Sequence, residues 1–287
     1  MTPLLTIQQM TLPDVQLALD WAAKEGWNPG LNDASTFYAA DPTGFLKAEL
    51  DGEPIGCISA VCYDATFGFI GLYIVKPEWR GRGYGLQLWQ TAWQQLTTRL
   101  DGVQPSIGLD GVVERETTYC QAGFVCAYRH IRHVYQPASS DGIPSGVFPL
   151  ATLPFEAVVH YDATLFPARR TRFLEAWLRI NSGAAYGVVE QDHLVGYGVL
   201  RPCRQGFKIG PLFADNPDIA ECLLQALTHH TFSQPTFIDI PDINPAIHFL
   251  SRRYTMQSVF TCARMYYGNL PNIEIERIFG VTTLELG

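Results

Sequence analysis

The sequence predicts an α/β (α+β) protein made of two tandem domains, each with a mixed, mostly antiparallel central sheet flanked by helices. The chain has 287 residues, more than the roughly 100 to 150 residues of a usual single domain. Residues 138–146 are small, polar and turn-forming, which is linker composition. The order of strands and helices before this segment recurs after it. We therefore predict domains at residues 1–137 and 149–287, joined by a linker at residues 138–148.

Apolar periodicity defines the elements of the first half. A helix is predicted to start after Thr11 and end near Gly26, because apolar residues recur there at helical spacing behind a capping signal. Strands, a helix packed on the sheet by an apolar stripe, and a closing helix and strand follow. Their predicted ranges are strands 45–50, 55–63 and 67–75, the helix after residue 85, strand 106–109, helix 114–121 and strand 124–135.

The second half repeats this plan in weaker form. An offset of 132 residues aligns Phe124 with Met256 and indicates an internal duplication. The run from Ile278 to Leu286 is predicted as a last strand, and the sequence leaves open which sheet it joins. The other predicted elements are helix 169–178, hairpin 185–200, strand 210–213, helix 219–227, strand 237–240, helix 245–253 and strand 258–267.

Composition excludes several classes of function. The net charge of −8 repels phosphate backbones and anionic membrane surfaces, so nucleic acid and membrane partners are not expected. The longest apolar stretch, residues 67–75, is far shorter than the ~20 residues of a membrane-spanning helix. The first residues lack the basic and apolar regions of a signal peptide, so we expect a cytoplasmic protein. Seven cysteines without a Cys-x-x-Cys pair suit reduced, mostly buried thiols.

A glycine-rich loop carries the clearest chemical signal. It reads Arg80-Gly81-Arg82-Gly83-Tyr84-Gly85 and lies directly between a predicted strand and a predicted helix. Glycines let backbone N–H groups converge on an anion, and the helix N-terminus adds its dipole. Arginine side chains add charge-assisted bonds to phosphate. A dinucleotide-binding fingerprint fails at Leu86, no Gly-Lys-Ser/Thr is present, and the remaining alternative is a loop that only turns the chain.

With this loop in place, residues 5–135 resemble a GNAT N-acyltransferase, whose most specific signature is the pattern Val-x-Pro-x-x-Arg-Gly-x-Gly-x-Gly found here from Val75 to Gly85. The resemblance implies acetyl-CoA as the cosubstrate. It implies that the main chain of Ile74 and Val75 pairs with the pantetheine arm, and that the loop from Arg80 to Gly85 holds the pyrophosphate. The second half resembles the degenerate GNAT-like domain fused behind such a catalytic half in some bacterial proteins.

A second family signature is a tyrosine on a helix just before Gly-Phe, and Tyr119 fits it in this chain. The resemblance implies that Tyr119 protonates the departing CoA thiolate as a general acid. A packed core tyrosine is the alternative. Many relatives carry an asparagine early in this helix, and Val112 stands at roughly that place, so CoA contacts there are in doubt.

The acceptor amine must lose a proton before it can attack a thioester. Asp110, at the end of a predicted strand, is the first candidate for the base or for an amine anchor, and Glu114 follows it; a capping or turn aspartate is the alternative. The segment with Trp27, Asn28 and Asp33 lies where this family shapes acceptor specificity. An aromatic ring beside a carboxylate would suit a cationic amine, and simple loop packing is equally compatible.

These observations predict an acetyl-CoA-dependent N-acyltransferase that moves an acetyl group directly to a primary amine on a small molecule or peptide. The alternative is a catalytically silent acyl-CoA-binding or sensing protein. No metal is expected, because His130 and His133 point to opposite faces of one strand. At the 132-residue offset the second half has neither the glycine loop nor the tyrosine, so it should bind no CoA. Since a duplicated chain can supply its own packing, we expect a monomer.

Overall fold

A computed structural model describes residues 4–138, 142–179, 182–231 and 234–287, so residues 139–141 of the predicted linker lie outside the described part. The helices are α1 (Leu12–Lys24), α2 (Asp33–Ala40), α3 (Tyr84–Thr97), α4 (Glu116–Gln121), α5 (Phe155–Asp162), α6 (Thr171–Trp177), α7 (Pro217–Thr228) and α8 (Ile247–Arg253). The strands are β1 (Leu5–Gln9), β2 (Phe45–Leu50), β3 (Glu53–Cys62), β4 (Phe67–Val75), β5 (Ser106–Val112), β6 (Val125–Tyr135), β7 (Val147–Pro149), β8 (Ala184–Glu190), β9 (His193–Pro202), β10 (Phe207–Ala214), β11 (Thr236–Pro241), β12 (Gln257–Gly268) and β13 (Ile278–Gly280).

The strands form one mixed, mostly antiparallel sheet. Its order is β1-β2-β3-β4-β5-β12-β6-β11-β10-β9-β8-β7, with β13 paired to β10. The pairs β4–β5 and β10–β11 run parallel. This agrees with the predicted fold class, with the difference that both halves share a single continuous sheet. In the described part of the chain, no helix is both long and apolar enough to cross a membrane.

The two halves exchange their last strands at the centre of the sheet. Strand β12 of the second half lies between β5 and β6 of the first, and β6 in turn pairs with β11. The antiparallel β12–β6 pair therefore relates the halves by an approximate two-fold axis. The sequence patterns do not reveal this exchange, because each last strand has the same apolar character whichever strand it pairs with.

Two buried ion pairs follow the same approximate symmetry. Arg264 donates from Nε and Nη2 to the two carboxylate oxygens of Asp110, at 2.9 and 2.7 Å. Arg132 binds both oxygens of Asp239 in the same way, at 2.7 and 2.9 Å. Each pair joins a strand of one half to the last strand of the other. Because all four side chains are at most 5% exposed, the pairs fix the register of the exchanged strands.

The Asp239 pair makes stability depend on acid. Burial would raise the pKa of Asp239, but the charge and hydrogen bonds of Arg132 outweigh burial and lower this pKa to about 2. A depressed folded-state pKa stabilises the fold above the ordinary value and loses that contribution as the pH falls towards the folded value. We therefore expect the free energy of unfolding to fall by about 2 kcal/mol on this account between about pH 5 and pH 2.

Urea unfolding at stepwise pH values measures this contribution. The Asp239→Asn variant lacks the titrating group, so its free energy of unfolding should depend less on pH over the same interval, whatever its absolute stability. Equal pH dependence in the two proteins would contradict the assignment.

Helices cover both faces of the sheet. Helices α3 and α7 pack on one face, each on the strands of its own half. Helices α1, α2, α5 and α6 share one apolar core on the other face, and the stacked rings of Phe37 and Trp177 join α2 to α6 across the two halves. The buried ion pairs lie on this second face, and so does the final segment, residues 281–287.

The sequence missed or overextended several elements. Strand β1 and the helices α2 and α5 were not predicted, because they are short and their apolar residues are too few to set a clear period. Only residues 278–280 of the predicted last strand are a strand, and they pair with β10 of the second half. Beyond them the chain crosses to the first half, where the Tyr63 hydroxyl donates to the carbonyl oxygen of Leu286 at 2.8 Å.

Candidate active site

A cleft of about 590 Å³ opens where β4 and β5 diverge. The two parallel strands pair from Phe67 to Ile70 and from Ser106 to Leu109, and beyond these pairs residues 71–75 of β4 and Asp110 and Val112 of β5 line the cleft. Both halves contribute to the walls. The lining residues used below are Trp27, Gly71, Leu72, Tyr73, Ile74, Val75, Arg80, Gly81, Gly83, Gly85, Asp110, Glu114, Tyr119, Arg132, Phe260, Cys262, Leu284 and Glu285.

The glycine loop forms one end of the cleft. Gly81 and Gly83 have φ angles of +73° and +84°, and a β-carbon on either would meet no atom within 4 Å. Gly83 is also the N-cap of α3, so the N–H groups of the first helical turn are directed at open space. The loop therefore has both the backbone conformation and the free space that a pyrophosphate needs. An anion can approach the backbone N–H groups closely only where φ is positive and no side chain obstructs them.

The loop arginines and Tyr84 behave differently from one another. Arg80 lines the cleft, where its Nε donates to the Val75 carbonyl oxygen at 2.7 Å and its guanidinium pairs with Glu25. Arg82 stacks over the Trp79 ring, 4.9 Å from its centroid, and Tyr84 contacts the same ring. Arg80, Gly81, Gly83 and Gly85 thus line the cleft together with Trp79, whereas Arg82 and Tyr84 contact the Trp79 ring without lining the cleft themselves.

Strand β4 forms the floor that leads away from the loop. Its partner on one side is β3, and its pairing with β5 on the other side stops at Ile70. Leu72 has a φ angle of +46°, and the β3–β4 register shifts at the same place. This bulge bends the strand, so beyond Ile70 the edge of β4 that faces away from β3 is open to the cleft, while Ile74 and Val75 still pair with β3 on the other edge.

Tyr119 lies on α4 in the wall of the cleft. Its ring contacts Trp89 and Phe124, with centroids at 5.7 and 6.3 Å. Burial raises the pKa of Tyr119 to about 12, and the nearby hydroxyl of Tyr73 adds to the rise. The phenol is therefore protonated at neutral pH, which is the state that a general acid needs.

Asp110 also lines the cleft, but its carboxylate is already engaged. Both oxygens bind Arg264, and Oδ1 lies 2.9 Å from Nδ1 of His130. Burial would raise the pKa of Asp110, but the charges of Arg264 and His130 outweigh it and hold the pKa below its ordinary value. A carboxylate held ionised by two partners is a poor proton acceptor, so its role as the base stays a prediction with little geometric support.

Three possible metal donors meet at the same place. One possible ligand atom each of Asp110, His130 and Cys262 lies within 4.8 Å of the other two. The three residues belong to three different strands, so their spacing in the sequence does not indicate that they meet. The guanidinium of Arg264 occupies both Asp110 oxygens, and its positive charge opposes a cation there. We therefore keep the prediction of a metal-free site.

Of the three residues predicted to shape acceptor specificity, Trp27, Asn28 and Asp33, one lines the cleft. Trp27 lines the cleft, and its carbonyl oxygen accepts from Arg132 Nη1 at 2.7 Å. Asn28 and Asp33 instead bind the second half: the Asn28 side chain bonds the Gln205 backbone, and Asp33 pairs with Arg201 at 3.1 Å.

Glu114 is exposed at the cleft mouth. Sequence reasoning missed Arg132, Phe260, Leu284 and Glu285, because strand exchange and the crossing of residues 281–287 bring them in from distant parts of the chain.

The corresponding groove of the second half is closed. Between β10 and α7 the glycine loop is reduced to Asp215 and Asn216. Strand β13 pairs with β10 at Leu212 and Phe213, and a β-carbon on Gly210 would come within 2.4 Å of the Thr282 carbonyl oxygen. The chain itself therefore fills the groove beside β10, which supports the prediction that the second half binds no CoA.

Family models identify the class of protein. A model described as "Acetyltransferase (GNAT) family" matches residues 12–115, and one described as "Acetyltransferase (GNAT) domain" matches residues 158–280. The chain belongs to the GNAT acetyltransferase family and carries two GNAT domains. It is an acyltransferase.

Individual relatives agree with this assignment. The holothin acyltransferase of Pseudoalteromonas sp. (strain SANK 73390) is 28% identical over 98% of this chain and 94% of its own. The crystal structure of a protein assigned as an acetyltransferase from Pyrococcus horikoshii has a TM-score of 0.81 and 23% identity, covering 99% of this chain and 96% of that one. A tandem GNAT protein from the clavulanic acid biosynthesis pathway has a TM-score of 0.61 and 14% identity, covering 94% of this chain and all (100%) of that one. The structural likenesses support the fold.

Proposed function

We propose that the protein transfers an acetyl group from acetyl-CoA directly to the primary amine of a small molecule or peptide. The observation that carries the proposal is the open Gly81–Gly83 backbone at one end of a cleft whose wall holds a protonated Tyr119. The glycine-loop end of the cleft suits the pyrophosphate of CoA, and the bulged edge of β4 suits its amide-containing pantetheine arm. Tyr119 lies in the cleft wall as the proton donor. Acetyl-CoA supplies the activated thioester.

The residues divide the work along the cleft. The loop backbone and Arg80 hold the phosphates, and the main chain of Ile74 and Val75 pairs with the pantetheine arm. This arrangement directs the thioester towards Gly71 and Leu72, near the middle of β4, where the cleft-lining part of the strand begins. The amine enters from the side built by the second half, so both substrates occupy the cleft together, as direct transfer requires.

The acceptor is an amine in this proposal because amide formation by a GNAT domain needs a nitrogen nucleophile. The relative from Pseudoalteromonas is named for the acylation of holothin, which supports a small-molecule acceptor. The acidic protein surface, with a net charge of −8, disfavours nucleic acid as an acceptor.

Titration calorimetry with acetyl-CoA tests the first half of the proposal. We expect one equivalent to bind the wild type, and Gly83→Glu to weaken binding by at least about tenfold, because its carboxylate repels phosphate at close range. The matched control is Gly52→Glu, in the turn between β2 and β3. Gly52 has a similar φ angle of +86° and open space around it, so it carries the same strain and charge away from the cleft.

The outcomes are distinct. Binding that survives in Gly83→Glu, or a second bound equivalent in the wild type, would contradict the assignment of the site to the first half. Binding without transfer to any amine of a broad panel would favour the alternative of an acyl-CoA sensor.

A further inference from the structure

The final segment carries a buried carboxylate, that of Glu285, one of whose oxygens has no hydrogen-bond partner among the described residues. Glu285 is 4% exposed and lines the cleft, and its Oε2 atom makes no hydrogen bond to the described residues. A buried, unpaired carboxylate oxygen costs several kcal/mol and is uncommon unless a ligand completes it. By contrast, Asp110, which also lines the cleft, is satisfied by Arg264, and the neighbouring Asp239 is satisfied by Arg132.

The main chain at Glu285 is held in place on β4. A β-carbon on Gly71 would come within 2.0 Å of the Glu285 carbonyl oxygen, so the segment lies directly on β4. Leu72, the bulge at which the thioester is expected, is the next residue. Strand β13, the Arg170–Thr282 hydrogen bond of 2.8 Å and the Tyr63–Leu286 hydrogen bond of 2.8 Å hold the segment on both sides. The backbone of Glu285 is therefore held next to the part of β4 at which the thioester is expected.

Positively charged groups and apolar side chains both lie near Glu285. Its negative charge raises the pKa of Arg132 and acts against the lowering of the Lys208 pKa, so positive charges stand near it. Trp27, Phe260 and Leu284 supply aromatic and apolar surface in the same cleft. The charged groups around the site are Arg132 of β6, Lys208 of β10, Asp239 of β11, Asp110 of β5, Arg264 of β12, and Glu114 and Arg115 after β5.

From these observations, and resting on the proposed function, we propose that Glu285 binds the ammonium group of an aromatic or apolar primary amine and accepts its proton. The sequence predicted an aromatic ring beside a carboxylate at Trp27 and Asp33. Glu285 takes the place of Asp33 in that pairing, since Asp33 is engaged with Arg201 outside the cleft. The sequence predicted a base in the first half, at Asp110. In this proposal the base instead comes from the second half, which has no glycine loop.

The proton balance is complete with residues of this chain. The ammonium gives one proton to Glu285, and the free amine nitrogen attacks the thioester carbonyl carbon. The carbon–sulfur bond breaks, and the thiolate takes the Tyr119 proton. The amide nitrogen gives its surplus proton back to the tyrosinate. Glu285 then releases its proton to water through the open cleft, so the net products are the amide, CoA and one proton.

Steady-state kinetics with acetyl-CoA and phenethylamine test this role. We expect Glu285→Gln to lower kcat/KM for the amine at pH 7 by about 100-fold, the lower end of general-base effects, with acetyl-CoA affinity unchanged within about twofold. The defect should shrink as the pH approaches about 10, where a primary amine loses its proton without help. The matched control is Glu276→Gln, an exposed carboxylate before β13, which should keep wild-type kinetics.

Each outcome decides a separate point. Wild-type kcat/KM in Glu285→Gln, or a defect that stays constant from pH 7 to about 10, would reduce Glu285 to a structural role and overturn the inference. Phenylalanine carries the same ring plus a carboxylate that Glu285 repels, so it should be at least tenfold poorer than phenethylamine; the reverse order would overturn the acceptor class. No transfer by the wild type to any amine would instead overturn the proposed function, and absent acetyl-CoA binding would do so independently of Glu285.

Discussion

Replacing Arg264 by methionine should lower the free energy of unfolding by about 3 to 5 kcal/mol, the usual cost of removing one partner of a buried ion pair. Arg264 is 4% exposed and is the only side chain that binds both oxygens of Asp110 among the described residues. Without it, a fully buried carboxylate keeps only the His130 contact. Because the pair joins β12 to β5, the loss falls on the contact between the two halves. Urea unfolding followed by tryptophan fluorescence measures it.

Two further variants make this prediction specific. Arg169→Met removes an ion pair whose side chains are 53% and 72% exposed, and it should cost no more than about 1 kcal/mol. The double variant Arg264→Met with Asp110→Leu removes both buried charges and should recover most of the loss. A loss for Arg264→Met as small as that for Arg169→Met would show that the pair does not fix the exchanged strands.

Replacing Tyr119 by phenylalanine should lower kcat for acetyl transfer by about 10²- to 10⁴-fold, the range of general-acid effects, while acetyl-CoA affinity changes little. The substitution removes one hydroxyl and keeps the ring contacts with Trp89 and Phe124. Since the pKa of Tyr119 is raised to about 12, the hydroxyl stays protonated across the usual assay range. The ratio of wild-type to variant rates should therefore be constant from about pH 6 to 9.

The matched control is Tyr186→Phe, on β8 of the second half. Tyr186 is also buried and loses a single hydrogen bond, to His230 at 2.8 Å, far from the cleft. It should keep the wild-type kcat. If Tyr119→Phe also keeps it, another donor protonates the thiolate, and Tyr73 is the nearest candidate in the cleft.

The sequence was most informative where function depends on local order. The loop from Arg80 to Gly85 and Tyr119 with its Gly-Phe neighbour are contiguous motifs, and the structure brings most of them to one cleft. The strands β2 to β6 and the helix α3 were predicted within a few residues, because their apolar patterns are long and regular.

The other side of the cleft was not predictable in this way. Phe260 and Glu285 reach it only through strand exchange and through a chain crossing, and neither leaves a local pattern. Asp110, predicted as the base or an amine anchor, lines the cleft, but its partner Arg264 lies 154 residues further along the chain, so local sequence could not predict their ion pair. The equal apolar alternation of β6 and β12 gave no indication of which strand pairs with β5.

The exchange of β6 and β12 affects whether the second copy can be lost from the gene. A duplicated domain that has lost its own cofactor loop would ordinarily be free to drift or to be deleted from the gene. Here the second copy supplies a strand beside the cleft and a segment that lines its wall. A premature stop codon anywhere before position 257 removes both, so an intact cleft depends on the codons of the second copy as well as on those of the first.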